Sequence, residues 1–167
     1  MLKIESINRS HDRSRFDCGS DELNQYLKRI ARQHLNKGIS RTFVLIDDNI
    51  PTEILGFFTL ASCEIIVEKL PGKYARKYPS RAPAAKLARL AVTKKRQRQG
   101  FGAYMMVNAI ERIISVSENL GIIGFFVDAK SSKAKAYYEQ FGFIPLPDNP
   151  LELFLPIDTL RQAYDAI

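Results

Sequence analysis

Between an apolar run, Leu87-Ala88-Arg89-Leu90-Ala91-Val92, and a long periodic segment lies Gln97-Arg98-Gln99-Gly100-Phe101-Gly102-Ala103. A strand, a glycine-bearing turn and a helix start, in that order, predict an anion site. First-turn N–H groups have no intrahelical acceptor, and the aligned peptide dipoles favour negative charge there. Gly100 and Gly102 lack the Cβ that would hold a phosphate off the backbone. The pattern is not the dinucleotide fingerprint, which needs a third glycine, nor a P-loop, since no Gly-Lys-Ser/Thr follows. Charge points the same way. From Lys69 to Ile110 there are eleven Lys or Arg and no Asp or Glu, whereas the rest of the chain carries fourteen basic and eighteen acidic residues. That is more positive charge than one small ligand requires, and it suggests a polyanionic second partner. Cys18 and Cys63 lack the spacing of a disulfide framework or a zinc site, so no metal is expected. Nothing supplies Cys63 with a neighbouring His and an orienting acid, so it is a poor nucleophile. His11 and His34 stand alone, which favours surface or structural roles.

The elements that must position these residues are legible from periodicity. Leu2 to Ile7 alternates and reads as an edge strand. The turn Phe16-Asp17-Cys18-Gly19-Ser20 feeds a helix to about Leu35, with Ser20 or Asp17 as cap. Thr42–Ile46 and Ile54–Ala61 read as a hairpin. Ile65–Val67 is a further short strand or the start of a loop. Lys69–Pro83, with three prolines and five cations, reads as an irregular functional loop. After the Leu87–Val92 strand, the long helix puts Met106, Ala109, Ile110, Ile113 and Ser117 on one face. Ile122–Val127 is a strand buried on both faces. Ser131 caps a helix through Phe141, stopped at Gly142. Phe143–Leu146 and Leu151–Leu155 close the sheet as an antiparallel pair, and Pro156 opens a terminal helix. The order is β, α, β, β, then β, α, β, α, β, β: an α/β (α+β) fold, a mixed, mostly antiparallel sheet of six to seven strands flanked by about four helices.

At 167 residues, 46% hydrophobic and 26% charged, the chain has the length and balance of a single soluble domain spanning 1–167. No apolar run approaches the roughly eighteen residues of a membrane span. Met-Leu-Lys-Ile-Glu offers no apolar signal core, so the cytoplasm is the expected compartment.

Gln97-x-x-Gly100-x-Gly102 resembles the pyrophosphate loop of the GCN5-related N-acetyltransferases, and this element order is theirs. Tyr137-Tyr138-Glu139-Gln140-Phe141-Gly142-Phe143 resembles the same family's Tyr-x-x-x-Gly-Phe segment. The resemblance implies acetyl-coenzyme A as co-substrate, with no metal. It places the pantetheine arm along Leu90, Ala91 and Val92 and the pyrophosphate on the amides from Arg98 to Ala103, with Gln97 also among the cofactor-binding residues. Tyr138 would be the catalytic acid that protonates the departing thiolate. The stripe Ala134, Tyr137, Tyr138, Phe141 equally allows either tyrosine to be core.

A narrower resemblance runs from about Phe16 to Phe154. Phe16-Asp17-Cys18-Gly19, Leu23-Asn24-Gln25-Tyr26-Leu27, Arg41-Thr42-Phe43-Val44, Leu70-Pro71-Gly72-Lys73 and Arg89-Leu90-Ala91-Val92 are similar to the acetyltransferase toxins of bacterial toxin–antitoxin pairs. Those enzymes acetylate the α-amino group of aminoacyl-tRNA and stop translation. A ribbon-helix-helix antitoxin and a homodimer are implied with them. Lys73, Arg76, Lys77 and Arg81 are then the first candidates for RNA phosphates. Arg89 is another, unless it pairs with a buried carboxylate. Lys94, Lys95, Arg96 and Arg98 would serve the coenzyme A phosphates. Two alternatives remain open: acetylation of a protein or small amine, and a noncatalytic nucleic-acid-binding module of the same fold.

Overall fold

The computed structural model describes residues 1–165. Its strands are β1 Leu2–Ser6, β2 Arg41–Asp47, β3 Gly56–Ile66, β4 Arg81–Val92, β5 Gly124–Asp128, β6 Ile144–Pro145 and β7 Glu152–Pro156. They form one sheet in the order β1-β2-β3-β4-β5-β7-β6. The β1–β2, β2–β3, β5–β7 and β6–β7 pairs are antiparallel, and β4–β5 is parallel. The helices are α1 Asp21–Gln25, α2 Ala31–Asn36, α3 Gly72–Ala75, α4 Phe101–Asn119, α5 Ser132–Glu139 and α6 Ile157–Asp165. A π turn, Tyr26–Ile30, joins α1 to α2. The expected mixed, mostly antiparallel sheet is present with seven strands.

Contacts divide the chain into two compact units. Met1–Ala61 with Ala88–Ala109 form the first, and Ser62–Leu87 with the chain from Ile110 form the second. The first is built on Ile7, Phe16, Tyr26, Leu27, Val44, Ile46 and Phe57, all buried. Within it the hydroxyls of Thr42 and Thr59, opposite each other on β2 and β3, bond at 2.8 Å and satisfy each other away from water. The second is built on Val67, Leu70, Ala82, Ala84, Phe126, Leu146 and Phe154.

Local signals set several boundaries as expected. Ser20 is the cap of α1, its Oγ accepting the Leu23 N–H at 3.3 Å. Ser131 caps α5 through the Ala134 N–H at 3.1 Å. Gly142, at φ +97°, ends the turn after it. Gly124 of β5 is required sterically. A Cβ there would run into the Leu155 carbonyl oxygen and lie 2.5 Å from Phe154 Cε1.

Other boundaries moved. β4 begins at Arg81, not Leu87, and Lys69–Pro83 is less irregular than its prolines suggest, since it contains α3. Small residues hid the start of this strand: Ala82, Ala84, Ala85 and Leu87 are the buried positions of its first seven residues. Pro83 precedes the ladder to β5, which pairs Ala85–Leu87 with Phe125–Val127, so its missing N–H costs that ladder nothing. Ile65 and Ile66 are the end of β3 rather than a separate strand. Pro156 is the last residue of β7, opposite Gly124, and α6 starts one residue later. The first helix contains a π turn that no periodicity announced, closed by the Ala31 N–H on the Tyr26 carbonyl.

Candidate active site

The anion loop is assembled inside the first unit. Helix α4 opens with the Tyr104 N–H bonding the Gly100 carbonyl at 3.0 Å, so the amides of Phe101, Gly102 and Ala103 have no carbonyl behind them in the helix. Gly100 sits at φ +85° with open space where a Cβ would lie. Arg98 is at φ +63°, a left-handed conformation that favours glycine or asparagine and strains a long side chain such as arginine. Residues 94–100 are exposed, and Lys94, Lys95, Arg96 and Arg98 stand among them. Free amides, a loop open at Gly100 and surrounding cations fit a pyrophosphate.

Upstream, Leu90, Ala91 and Val92 end β4, with Ala91 buried and its neighbours half-buried. A cluster of hydrogen bonds ties this end to the Asp17 turn. The Gln97 side-chain amide donates to the carbonyls of Cys18 and Val92, each at 2.9 Å. The Lys94 N–H donates to the Asp17 carbonyl at 2.9 Å. The Asp17 carboxylate accepts from the Gly19 N–H at 2.9 Å and from the Asn24 side-chain amide at 3.0 Å, and these bonds hold its pKa below the ordinary carboxylate range. Lys94 Nζ lies 3.4 Å from the same carboxylate, so one of the expected phosphate cations already has an acidic neighbour.

Arg89 takes neither of its expected forms cleanly. Among the described residues it pairs with no carboxylate. Its guanidinium lies 4.3 Å over the Tyr26 ring and donates to the Ala88 carbonyl at 3.1 Å, while Nε is buried without a partner. A cation–π contact stands where one of the two sequence alternatives placed a carboxylate.

In the second unit, α5 carries Tyr137 and Tyr138, both half-buried. The Tyr138 ring meets Tyr137 edge-on at 5.5 Å and Phe143 at 5.9 Å. Burial, with the neighbouring Tyr137 phenol adding to it, pushes the Tyr138 pKa up to about 12. Tyr137 packs on Phe141 at 5.3 Å, and its hydroxyl is buried without a hydrogen-bond partner. Burial raises its pKa too. Both phenols therefore keep their protons across the working pH range.

The cations Lys73, Arg76, Lys77 and Arg81 are exposed on or beside α3. Lys77 lies 3.5 Å from Asp158, and Arg81 lies 2.7 Å from Glu64. These are solvent-exposed pairs, worth little and readily exchanged for other anions.

The remaining nucleophile and base candidates are structurally occupied. Burial raises the pKa of both the Cys18 and Cys63 thiols, which keeps them protonated. His11 is buried, with Nδ1 accepting the Asn8 N–H at 3.1 Å and Nε2 lying 2.7 Å from Glu5. Among the described residues no group of His, Cys, Asp or Glu is arranged to hold a metal.

Comparison with known proteins agrees with this geometry. The Acetyltransferase (GNAT) domain family matches residues 38–145, which takes in β2 through β6 and the whole anion loop. The tRNA-acetylating toxin of Mycobacterium tuberculosis (strain ATCC 25618 / H37Rv) is 33% identical over 93% of this chain and 92% of its own. AtaT, solved in complex with acetyl-methionyl-tRNAfMet, is 35% identical with a TM-score of 0.89, covering 98% of this chain and 99% of that one. A tyrosine-to-phenylalanine variant of AtaT, solved with the C-terminus of the antitoxin AtaR and acetyl-CoA, is 31% identical with a TM-score of 0.81 over 99% of both chains. With its glycine-bearing strand–loop–helix segment, its tyrosine-bearing α5 and these matches over nearly its full length, the chain belongs to the GNAT acetyltransferase family.

Proposed function

We propose that this protein acetylates the α-amino group of aminoacyl-tRNA with acetyl-coenzyme A and so acts as a translation-blocking toxin. The observation that carries the reading is the near full-length likeness, at 35% identity, to a toxin solved with an acetylated aminoacyl-tRNA. The whole described chain acts as one acetyltransferase domain, a reading supported by a family match that draws residues from both compact units. Its working place is the cytoplasm, where charged tRNA is found. No helix among the described residues is long and apolar enough to cross a membrane.

The chemistry follows from the residues. The amides from Arg98 to Ala103, with Lys95, Arg96 and Arg98, receive the pyrophosphate and fix the thioester's distance from the loop. Backbone groups of Leu90, Ala91 and Val92 align the pantetheine arm. An α-amino group titrates near pH 8, so a sizeable fraction is already neutral at working pH. Its nitrogen attacks the thioester carbonyl, a C–N bond forms, the C–S bond breaks, and the proton lost by the amine returns through solvent. Tyr138 Oη hydrogen-bonds the sulfur as negative charge develops there and delivers the proton that completes the thiol. With its pKa pushed up to about 12, the phenol is fully protonated at working pH and so stands as a donor.

Lys73, Arg76, Lys77 and Arg81 meet RNA phosphates, with the carboxylates of Asp158 and Glu64 displaced from Lys77 and Arg81. Arg89, turned onto Tyr26, shapes the site beside β4 and contributes to RNA binding from there. A homodimer and a ribbon-helix-helix antitoxin complete the proposal. The antitoxin is supported by a relative solved with the C-terminus of its own antitoxin. Coexpression with the neighbouring reading frame tests the pair: growth arrest by this chain alone, relieved by its neighbour, is the expected result. Arrest that the neighbour leaves untouched would refute the pairing.

A further inference from the structure

We propose that Gln97 and the Asp17–Asn24 corner are positioning residues that hold the anion loop in its binding conformation before any ligand arrives. This rests on the reading that the loop receives the pyrophosphate of acetyl-coenzyme A. It reassigns Gln97 from a cofactor contact to a clasp.

A glutamine amide has two N–H donors. Both are engaged here, one on the Cys18 carbonyl and one on the Val92 carbonyl, each at 2.9 Å. What remains on the side chain is a carbonyl oxygen, which repels a phosphate. Gln97 thus acts on the loop and not on the ligand. It joins three pieces of backbone: the end of β4, the start of the loop, and a corner 79 residues away in sequence. The same junction is closed again by the Lys94 N–H on the Asp17 carbonyl at 2.9 Å, and the Thr93 N–H on the Leu55 carbonyl at 2.9 Å anchors the end of β4 from the segment before β3. Thr93 Oγ1 adds a bond to the Asp17 carbonyl at 3.3 Å.

The corner is itself rigid. Asn24 is buried, donating to the Asp17 carboxylate at 3.0 Å and accepting the Cys18 N–H at 3.0 Å. Gly19, at φ +93°, lets the chain pass Lys94, where a Cβ would come 3.3 Å from Lys94 Cε. Immediately after Gln97, Arg98 occupies its strained left-handed conformation. Strain of this kind persists only where the surroundings over-determine it. The clasp before Arg98 and the Gln99 amide bonded to the Lys95 carbonyl at 3.2 Å after it supply that constraint. A loop fixed in this way need not be ordered by the ligand, which improves affinity by preorganisation.

The test compares acetyl-coenzyme A with acetyl-pantetheine, which lacks the pyrophosphate and nucleotide, using the full-length protein and one charged tRNA pool as acceptor. Gln97→Met keeps the side-chain length and removes both donors, and because Gln97 is exposed it spares the core. The expected result is a rise of about tenfold in KM for acetyl-coenzyme A, the effect of two lost hydrogen bonds. The loss in kcat/KM should be clearly larger with acetyl-coenzyme A than with acetyl-pantetheine, which the loop does not hold. Asn24→Ala, read as the ratio of the two donors rather than as total activity, should move the same way. An unchanged KM for acetyl-coenzyme A in Gln97→Met, or an equal loss with both donors, overturns the proposal. A wild-type protein that does not favour acetyl-coenzyme A over acetyl-pantetheine overturns the pyrophosphate reading instead, and this inference with it.

Discussion

Replacing Tyr138 by phenylalanine removes one oxygen atom and tests the general-acid assignment. The ring contacts that hold the side chain, at 5.5 Å to Tyr137 and 5.9 Å to Phe143, remain available to phenylalanine. The variant should therefore fold, and it should bind acetyl-coenzyme A as the wild type does, because the anion loop belongs to a different part of the chain. What disappears is a proton donor for the leaving sulfur. A positioned general acid contributes about 10²–10⁴-fold. At about 1.4 kcal/mol per decade, the chemical step should slow by about 3–5.5 kcal/mol in barrier. Single-turnover acetyl transfer at saturating donor reads this directly, and calorimetry of coenzyme A binding supplies the control. A second arm changes the leaving group. An acetyl thioester of an acidic aromatic thiol needs no proton to depart, so the variant should recover most of the wild-type rate with it. Full turnover of acetyl-coenzyme A by a Tyr138→Phe protein that binds normally would refute the assignment. A deficit equal for both leaving groups would refute the proton-transfer reasoning.

Other perturbations read other parts of the protein. The Tyr138 phenol is held near pKa 12 against an ordinary value near 10, so the folded state retains its proton where the unfolded chain loses it. Stability should fall as pH rises from about 10 to 12, by about 2–3 kcal/mol from this group, and Tyr138→Phe should remove that component from the denaturant-derived pH curve. Equal slopes for the two proteins would contradict it. Gly124→Ala drives a methyl into the Leu155 carbonyl oxygen and the Phe154 ring, and should cost about 3 kcal/mol, or roughly 6–12 °C in melting temperature. A change within a degree would mean that β5 and β7 yield easily. Exposed Lys73 and Arg76, replaced together by alanine, should weaken charged-tRNA binding and flatten its log–log salt dependence by about 1.5–2 units, since each lost phosphate contact removes nearly one. An unchanged slope would place the RNA elsewhere.

Much of the architecture was legible because its signals are local. Ser20, Ser131 and Gly142 mark their helix ends through bonds and dihedrals that involve only the next few residues. The glycine loop was readable for the same reason. What escaped is non-local or chemically silent. The first half of β4 is alanine-rich and carries Pro83, so its alternation of burial left no hydrophobic pattern to find. The π turn at Tyr26–Ile30 inserts a residue without any residue type to announce it. Arg98 adopts a left-handed φ that would be expected of glycine or asparagine. The roles of Asp17 and Gln97 depend on contacts across more than seventy residues, for which a single sequence carries no signal. Arg89 shows a limit of type-based reasoning: a half-buried cation demands stabilisation, but an aromatic face supplies it as well as a carboxylate does.

The proposed reaction is acetyl transfer to the amino acid of a charged tRNA. It is tested most directly by incubating the protein with radiolabelled acetyl-coenzyme A and bulk aminoacyl-tRNA, beside the same pool deacylated. Label is expected in the charged pool only, released with the amino acid when the ester is hydrolysed. Label in neither pool, from protein that binds coenzyme A, would contradict it.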